Sequence, residues 1–318
     1  MLRKSLLITF LIALLTACAP QSTPATQAPT EVPIVAPTAA SFPLSLTDGL
    51  GRKINLEKAP QRIISLAPSN TEILFAIGAG SQVVGRDQLS DFPEEAKTLT
   101  DIGSTFDKLN TEKIVSLKPD LVLAAEINTP EQVKQLEDLG LKVYYLKNPL
   151  TLEEMYKNLE IVAQMTGHDS EAATLIDSLK KRVAAVDEKI APLNARPNVF
   201  YELDGTDPAK PYTAGKGTFI TQLIERAGGH NIAANLDGYP QLSLEQVVAA
   251  DPSFIILGDA RYGVSAESIA QRPGWGDLAA VKNNKIFTFN DDLVSRPGPR
   301  LVDALEQLAK LLRPELFQ

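Results

Sequence analysis

The sequence predicts an α/β protein of two similar lobes, each with a mostly parallel sheet flanked by helices, bridged by one long helix. Three observations predict it. One stretch occurs twice, once in each half. Short apolar runs alternate with helical patterns along most of the chain. A single amphipathic helix, unbroken by Gly or Pro, lies between the halves.

The duplicated stretch reads FDKLNTEKIVSLKPDLVL from Phe106 to Leu123 and YPQLSLEQVVAADPSFII from Tyr239 to Ile256. Aligned without a gap, Phe106 falls on Tyr239, Leu109 on Leu242, Glu112 on Glu245 and Pro119 on Pro252. Asn110 and Ser243 are suited to cap the free amides that open a helix. Leu109 with Ile114, and Leu242 with Val247, have the spacing of a hydrophobic staple. Glu112 and Glu245 fall in the first turn, where the helix dipole favours negative charge. After each proline follows a uniformly apolar strand, the pattern of a parallel strand covered on both faces.

Taken in order, residues 1–17 carry Arg3 and Lys4, an apolar run from Leu6 to Leu15, and then Thr16-Ala17-Cys18. That is a signal peptide, too short for a comfortable membrane span. Cys18 is the sole cysteine, and its setting resembles the lipobox of bacterial lipoproteins, which implies an acylated Cys18. No disulfide is available, so the fold must rest on its core. Residues 18–41, rich in Pro, Thr and Ala, are expected to be a disordered tether.

Residues 42–168 are expected to form the first lobe. Phe42 to Leu56 alternates around Asp48-Gly49 as a hairpin. A strand (Arg62 to Ala67) leads into a helix at Ser69, where Ser69 and Glu72 have capping-box spacing that suffices to explain Glu72. Strand Val83 to Gly85, the first duplicated copy, helix Glu131 to Leu139, strand Lys142 to Leu146 and helix Leu152 to Met165 follow. Residues 169–193 hold the bridging helix. Ala172, Leu175, Ile176, Leu179, Val183, Val186 and Ile190 keep one face apolar, over roughly 30–35 Å. Residues 194–318 form the second lobe. There strand Asn198 to Leu203, helix Thr218 to Ala227, the second copy, strand Lys285 to Phe289 and helix Arg300 to Leu312 restart the alternation.

The formal charge of −8 and the absence of a basic stripe argue against nucleic acid. No nucleophile elbow, phosphate loop or dinucleotide fingerprint is present. Only two histidines occur, His168 and His230, each beside a glycine at a helix end, where a dipole partner is expected rather than a metal ligand. Enzyme chemistry therefore has no positive signal. Binding has one, in the aromatics on loops before helices and in charges near the C-terminus.

ISLAPSNTEILFAIGAGSQVVG, LNTEKIVSLKPDLVLA, YTAGKGTFITQLIERAGGHNI, LSLEQVVAADPSFIILG and DDLVSRPGPRLVDALEQL carry a resemblance over most of the chain. From Arg62 onward the chain resembles the substrate-binding proteins of bacterial ABC importers for vitamin B12, haem and iron–siderophore complexes, the B12 binders above all. The resemblance implies the helical-backbone periplasmic-binding-protein fold, with ligand in the cleft between the lobes. It implies that Glu112 and Glu245, one per lobe, meet arginines on the permease subunits. It places Phe106, Tyr212 and Tyr239 as cleft aromatics, and Asp292 and Arg296 as cleft polar groups. Trp275 is expected to pack rather than bind.

Two positions depart from the B12 binders, which have aromatics where this chain has Leu89 and Ala125. A haem would want an axial Tyr or His and cations for its propionates, and an anionic siderophore several arginines. The expected cleft offers chiefly Arg296, with Lys216 as a further candidate, which favours a near-neutral corrinoid such as cobalamin. The resemblance therefore implies a monomeric lipoprotein on the extracytoplasmic face, with no resident cofactor and no metal site, partnered by a permease dimer and its ATPase. Haem or siderophore delivery, and a sensory role without transport, are the alternatives.

Overall fold

The computed structural model describes residues 41–106 and 109–317. The expected signal peptide, Cys18 and all but the last residue of the tether lie outside the described residues.

Strands β1 (Leu44–Thr47) and β2 (Lys53–Leu56) form the expected antiparallel hairpin. Its turn is tied by the Asp48 carboxylate, which accepts from the Leu50 amide at 3.0 Å and the Arg52 amide at 2.9 Å. The first lobe then runs β3 (Ile63–Ser65), α1 (Pro68–Ala76), β4 (Val83–Arg86), β5 (Thr100–Asp101), α2 (Thr111–Ser116), β6 (Leu121–Ala125), α3 (Pro130–Asp138) and β7 (Val143–Leu146). Its strands make one parallel sheet in the order β5-β4-β3-β6-β7.

Two helices leave that lobe, α4 (Leu152–Thr166) and the long α5 (Asp169–Ile190). The second lobe runs β8 (Asn198–Glu202), α6 (Phe219–Arg226), β9 (His230–Asn231), α7 (Leu244–Ala250), β10 (Phe254–Leu257), α8 (Ala266–Ala270), α9 (Ala279–Lys282), β11 (Ile286–Thr288), α10 (Asp292–Ser295) and α11 (Leu301–Leu312). Its sheet is also parallel, ordered β11-β10-β8-β9.

The local chemistry of the duplicated stretch is as expected. Asn110 caps α2 by accepting from the Lys113 amide, and Ser243 caps α7 by accepting from the Gln246 amide. Each staple pair is buried in one core, Leu109 with Ile114 and Leu242 with Val247. The strands β6 and β10 that follow are buried along their whole length, as central parallel strands must be.

Burial explains why α5 joins the lobes firmly. Ala172, Ile176, Leu179, Val183, Val186 and Ile190 are buried along one side, against α4 and α11. They belong to a continuous apolar core that reaches Ile63, Leu121 and Leu123 of the first sheet and Val199, Tyr201 and Ile256 of the second. Each fully buried aliphatic side chain there contributes roughly 1.5–3 kcal/mol. Because strand side chains alternate, Ile64 and Val122 face a separate core on the far side of the first sheet, and Phe200 and Ile255 do the same in the second. Trp275 lies in that last core, edge-on to Phe200, so the packing expectation holds.

One local reading needs correction. The helix α1 starts two residues early, with Ala67 rather than Ser69 at its N-cap and Pro68 in the first turn. Proline's fixed φ and missing N–H suit the first helical position. Glu72 is thereby turned inward, only 2% exposed, to meet arginines of the other lobe.

Candidate binding cleft

In an open parallel sheet the loops leaving the carboxyl ends of the strands gather in one place. Both sheets do this toward the same cavity, of about 510 Å³. From the first lobe come Gln88 and Leu89 after β4, Ala125 and Ile127 at the end of β6, and Asn148 after β7. Phe106 reaches it from the loop before α2. From the second lobe come Arg261 and Tyr262 after β10, and Asp292 and Arg296 beside α10.

Buried polar side chains hold these loops. The loop that follows β4 is fixed by Asp87, whose carboxylate accepts from the Leu89 amide at 3.0 Å and from the Ser90 hydroxyl. Thr71 donates to or accepts from Ser65 and Ser90, each at 2.8 Å. Asn128 accepts from the Ala125 amide at 2.9 Å, which closes the turn beneath Ile127. In the second lobe Asp259 accepts from the Gly205 amide at 2.8 Å, and Asp291 accepts from the Tyr201 hydroxyl at 2.8 Å. Burial pushes the Asp291 carboxyl above its usual range, against the pull of that hydrogen bond.

Charge in the cavity is paired. Arg261 donates to Asp292 at 2.8 Å, and Arg296 reaches the other Asp292 oxygen at 3.1 Å. Across the cleft Arg296 meets Asp91 at 2.6 Å and Glu72 at 3.4 Å. Partial burial works to raise the Asp91 carboxyl, and the Arg296 guanidinium overrides it, so the group sits below its ordinary range. Asp91 and Asp292 therefore balance Arg261 and Arg296 on the cavity wall.

Of the residues expected at the cleft, the structure brings together Phe106, Asp292 and Arg296. Tyr212 and Tyr239 do not line the cavity. Tyr212 is exposed and holds a short antiparallel bridge with Asp204 and another with Gln241. Tyr239 is exposed, and partial desolvation, with the Asp291 charge adding to it, raises its pKa. Lys216 is likewise exposed and outside the cavity. Leu89 and Ala125, marked as departures, do line it.

Glu112 and Glu245 stand exposed in the first turns of α2 and α7, and neither forms an ion pair among the described residues. A hydrogen bond with Ser243 holds the Glu245 carboxyl below its ordinary range. His168 occupies the N-cap position of α5, and His230 lies 3.2 Å from Glu225. Among the described residues no cluster of His, Cys, Asp or Glu is arranged to hold a metal ion.

Sequence reasoning missed Arg261, Tyr262, Asp91 and Glu72. Extending the duplicated alignment past its strands would have found the first two, since Ile127 then falls on Ala260, next to Arg261.

A family model described as periplasmic binding protein matches residues 63–293. This chain belongs to that family. The periplasmic binding protein is 34% identical over 282 residues to the uncharacterized ABC transporter substrate-binding lipoprotein YvrC of Bacillus subtilis, covering 87% of this chain and 88% of that one. It is 34% identical over 256 residues to the vitamin B12-binding protein of Salmonella typhimurium, covering 80% and 91%. Its structure resembles that of the periplasmic heme-binding protein RhuT from Roseiflexus sp. RS-1, with a TM-score of 0.72 at 30% identity, over 80% of this chain and 98% of the other. The fold is thus the helical-backbone one, and these relatives bind solutes rather than catalyse.

Proposed function

We propose that this periplasmic binding protein captures a near-neutral corrinoid in the inter-lobe cavity and delivers it to an ABC importer. It acts as an extracytoplasmic monomer, anchored through lipid on Cys18. The observation that supports the ligand class is the charge balance of the cavity. Arg261 and Arg296 are both engaged by carboxylates, so neither stands ready for the propionates of a haem or the anionic arms of a siderophore. A corrin is a broad apolar disc edged with amides. Phe106, Leu89 and Ile127 offer apolar contact, and Gln88 and Asn148 offer amides to match. The cavity volume is in the ordinary range for a small-molecule site.

Docking is assigned to Glu112 and Glu245. Only a short turn separates α2 from β6, and another α7 from β10, so each helix doubles back along its strand. Its first turn then lies toward the carboxyl ends of the sheet, on the side where the cleft opens. Two exposed acids in equivalent places, neither ion-paired among the described residues, suit the two arginines of a two-fold permease.

Haem is the second reading, and one residue favours it. Tyr262 lines the cavity with the Arg261 guanidinium 5.1 Å from its ring, which would offer an axial oxygen beside a cation. Titration with cyanocobalamin, haemin and a ferric siderophore tests both. No cyanocobalamin binding at micromolar protein would reject the corrinoid. A haemin absorbance band that Tyr262→Phe abolishes would establish haem in its place.

A further inference from the structure

We propose that Glu72 sets which ligand charge the cleft accepts, acting as a positioning residue through Arg296. The inference rests on the reading of the cavity as the ligand site.

Glu72 belongs to α1 of the first lobe, while Arg296 and Arg300 come from the segment between α10 and α11 of the second. Its side chain is 1% exposed, so no ligand touches it. Arg300 alone engages both carboxylate oxygens, with Nε donating to Oε2 at 2.8 Å and Nη2 meeting Oε1. The further contact, Arg296 Nη1 to Oε1 at 3.4 Å, is what links this buried charge to the cavity wall.

The electrostatics follow from counting the cluster. Among the groups in direct ion-pair contact, Glu72, Asp91 and Asp292 carry three negative charges and Arg261, Arg296 and Arg300 three positive ones, so these sum to zero. The buried Asp87 carboxyl also feels Arg296. Arg296 touches all three carboxylates. Neutralising Glu72 shifts the balance of these ion-paired groups by one positive charge beneath the cavity and leaves Arg296 less strongly held on that side. A guanidinium in a partly dehydrated site attracts carboxylates strongly. The wild-type cluster thus disfavours a dianionic macrocycle relative to an uncharged one, and Glu72 is the member that a ligand cannot displace.

The test compares affinities for cyanocobalamin and haemin in the full-length protein and in Glu72→Gln, Glu72→Asp and Asp91→Asn, by titration calorimetry. Glu72→Gln lowers the ratio of cyanocobalamin to haemin affinity by about tenfold. Glu72→Asp, which keeps the charge, stays close to wild type. A purely structural role predicts that Gln and Asp move both ligands together, and that result overturns the inference. Asp91→Asn removes a half-exposed partner of the same arginine without a buried gap, and shifts the ratio in the same direction by less. Should Glu72→Gln fail to fold, an unchanged ratio in Asp91→Asn overturns the inference by itself. Wild-type protein that binds neither probe rejects the corrinoid and haem readings of the cavity, and the inference with them. Wild-type binding with unchanged ratios rejects the inference alone.

Discussion

Arg300 of the second lobe grips Glu72 of the first through a two-pronged contact, and both side chains are largely shut away from water. Removing one partner of a buried pair strands the other. Arg300→Ala should therefore cost about 3–5 kcal/mol, well beyond its lost packing on Phe92. Replacing both with leucine should recover most of that loss. Urea unfolding of the single and double variants measures it, and a single-variant loss below about 1 kcal/mol would refute the burial argument.

A second ion pair gives a pH signature. Arg182 on α5 meets Glu306 at 2.8 Å and Asp303 at 2.6 Å on α11. The Arg182 hydrogen bond holds the Glu306 carboxyl below its ordinary value of 4.5. A carboxyl held low when folded contributes stability above its unfolded pKa and loses it as pH falls through the folded value. Arg182→Gln should thus be less stable than wild type at neutral pH, with the gap closing in acid below that ordinary value. Denaturation midpoints compared at about pH 7 and about pH 3 check the sign.

Docking should separate cleanly from capture. Glu112→Ala combined with Glu245→Ala is expected to leave ligand affinity unchanged and to reduce uptake by cells or proteoliposomes. Unchanged uptake would remove the docking assignment.

Phe106 is 66% exposed and reaches the cavity from its rim. Phe106→Ala should weaken cyanocobalamin by about five- to tenfold, the value of one aromatic face, without altering thermal stability. Equal affinity in calorimetry would take Phe106 out of the site.

The shared core along α5 should resist wide opening of the lobes, since a continuous helix lacks the flexible strands on which large hinges depend. Scattering curves with and without cyanocobalamin should then nearly superimpose. A marked fall in radius of gyration on binding would contradict this.

Much of the architecture was legible because it is written in local patterns. The caps Asn110 and Ser243, the staples, the apolar strands and the seam of α5 each depend on residues a few places apart. Periodicity reports such neighbours directly. The cleft was legible only in part. Phe106, Asp292 and Arg296 reach it through the resemblance, whereas Arg261, Tyr262 and Asp91 lie on loops whose meeting depends on how two sheets face each other.

Glu72 marks the boundary most sharply. By itself the sequence determined two parallel-sheet lobes, a duplicated unit with an acid in each first turn, and a long helix between them. Only the tertiary structure decided that a glutamate with capping-box spacing would face inward and meet arginines over two hundred positions away. The physical reason is range. A cap is satisfied within one turn of helix, but a buried charge must find its counter-charge wherever packing places it.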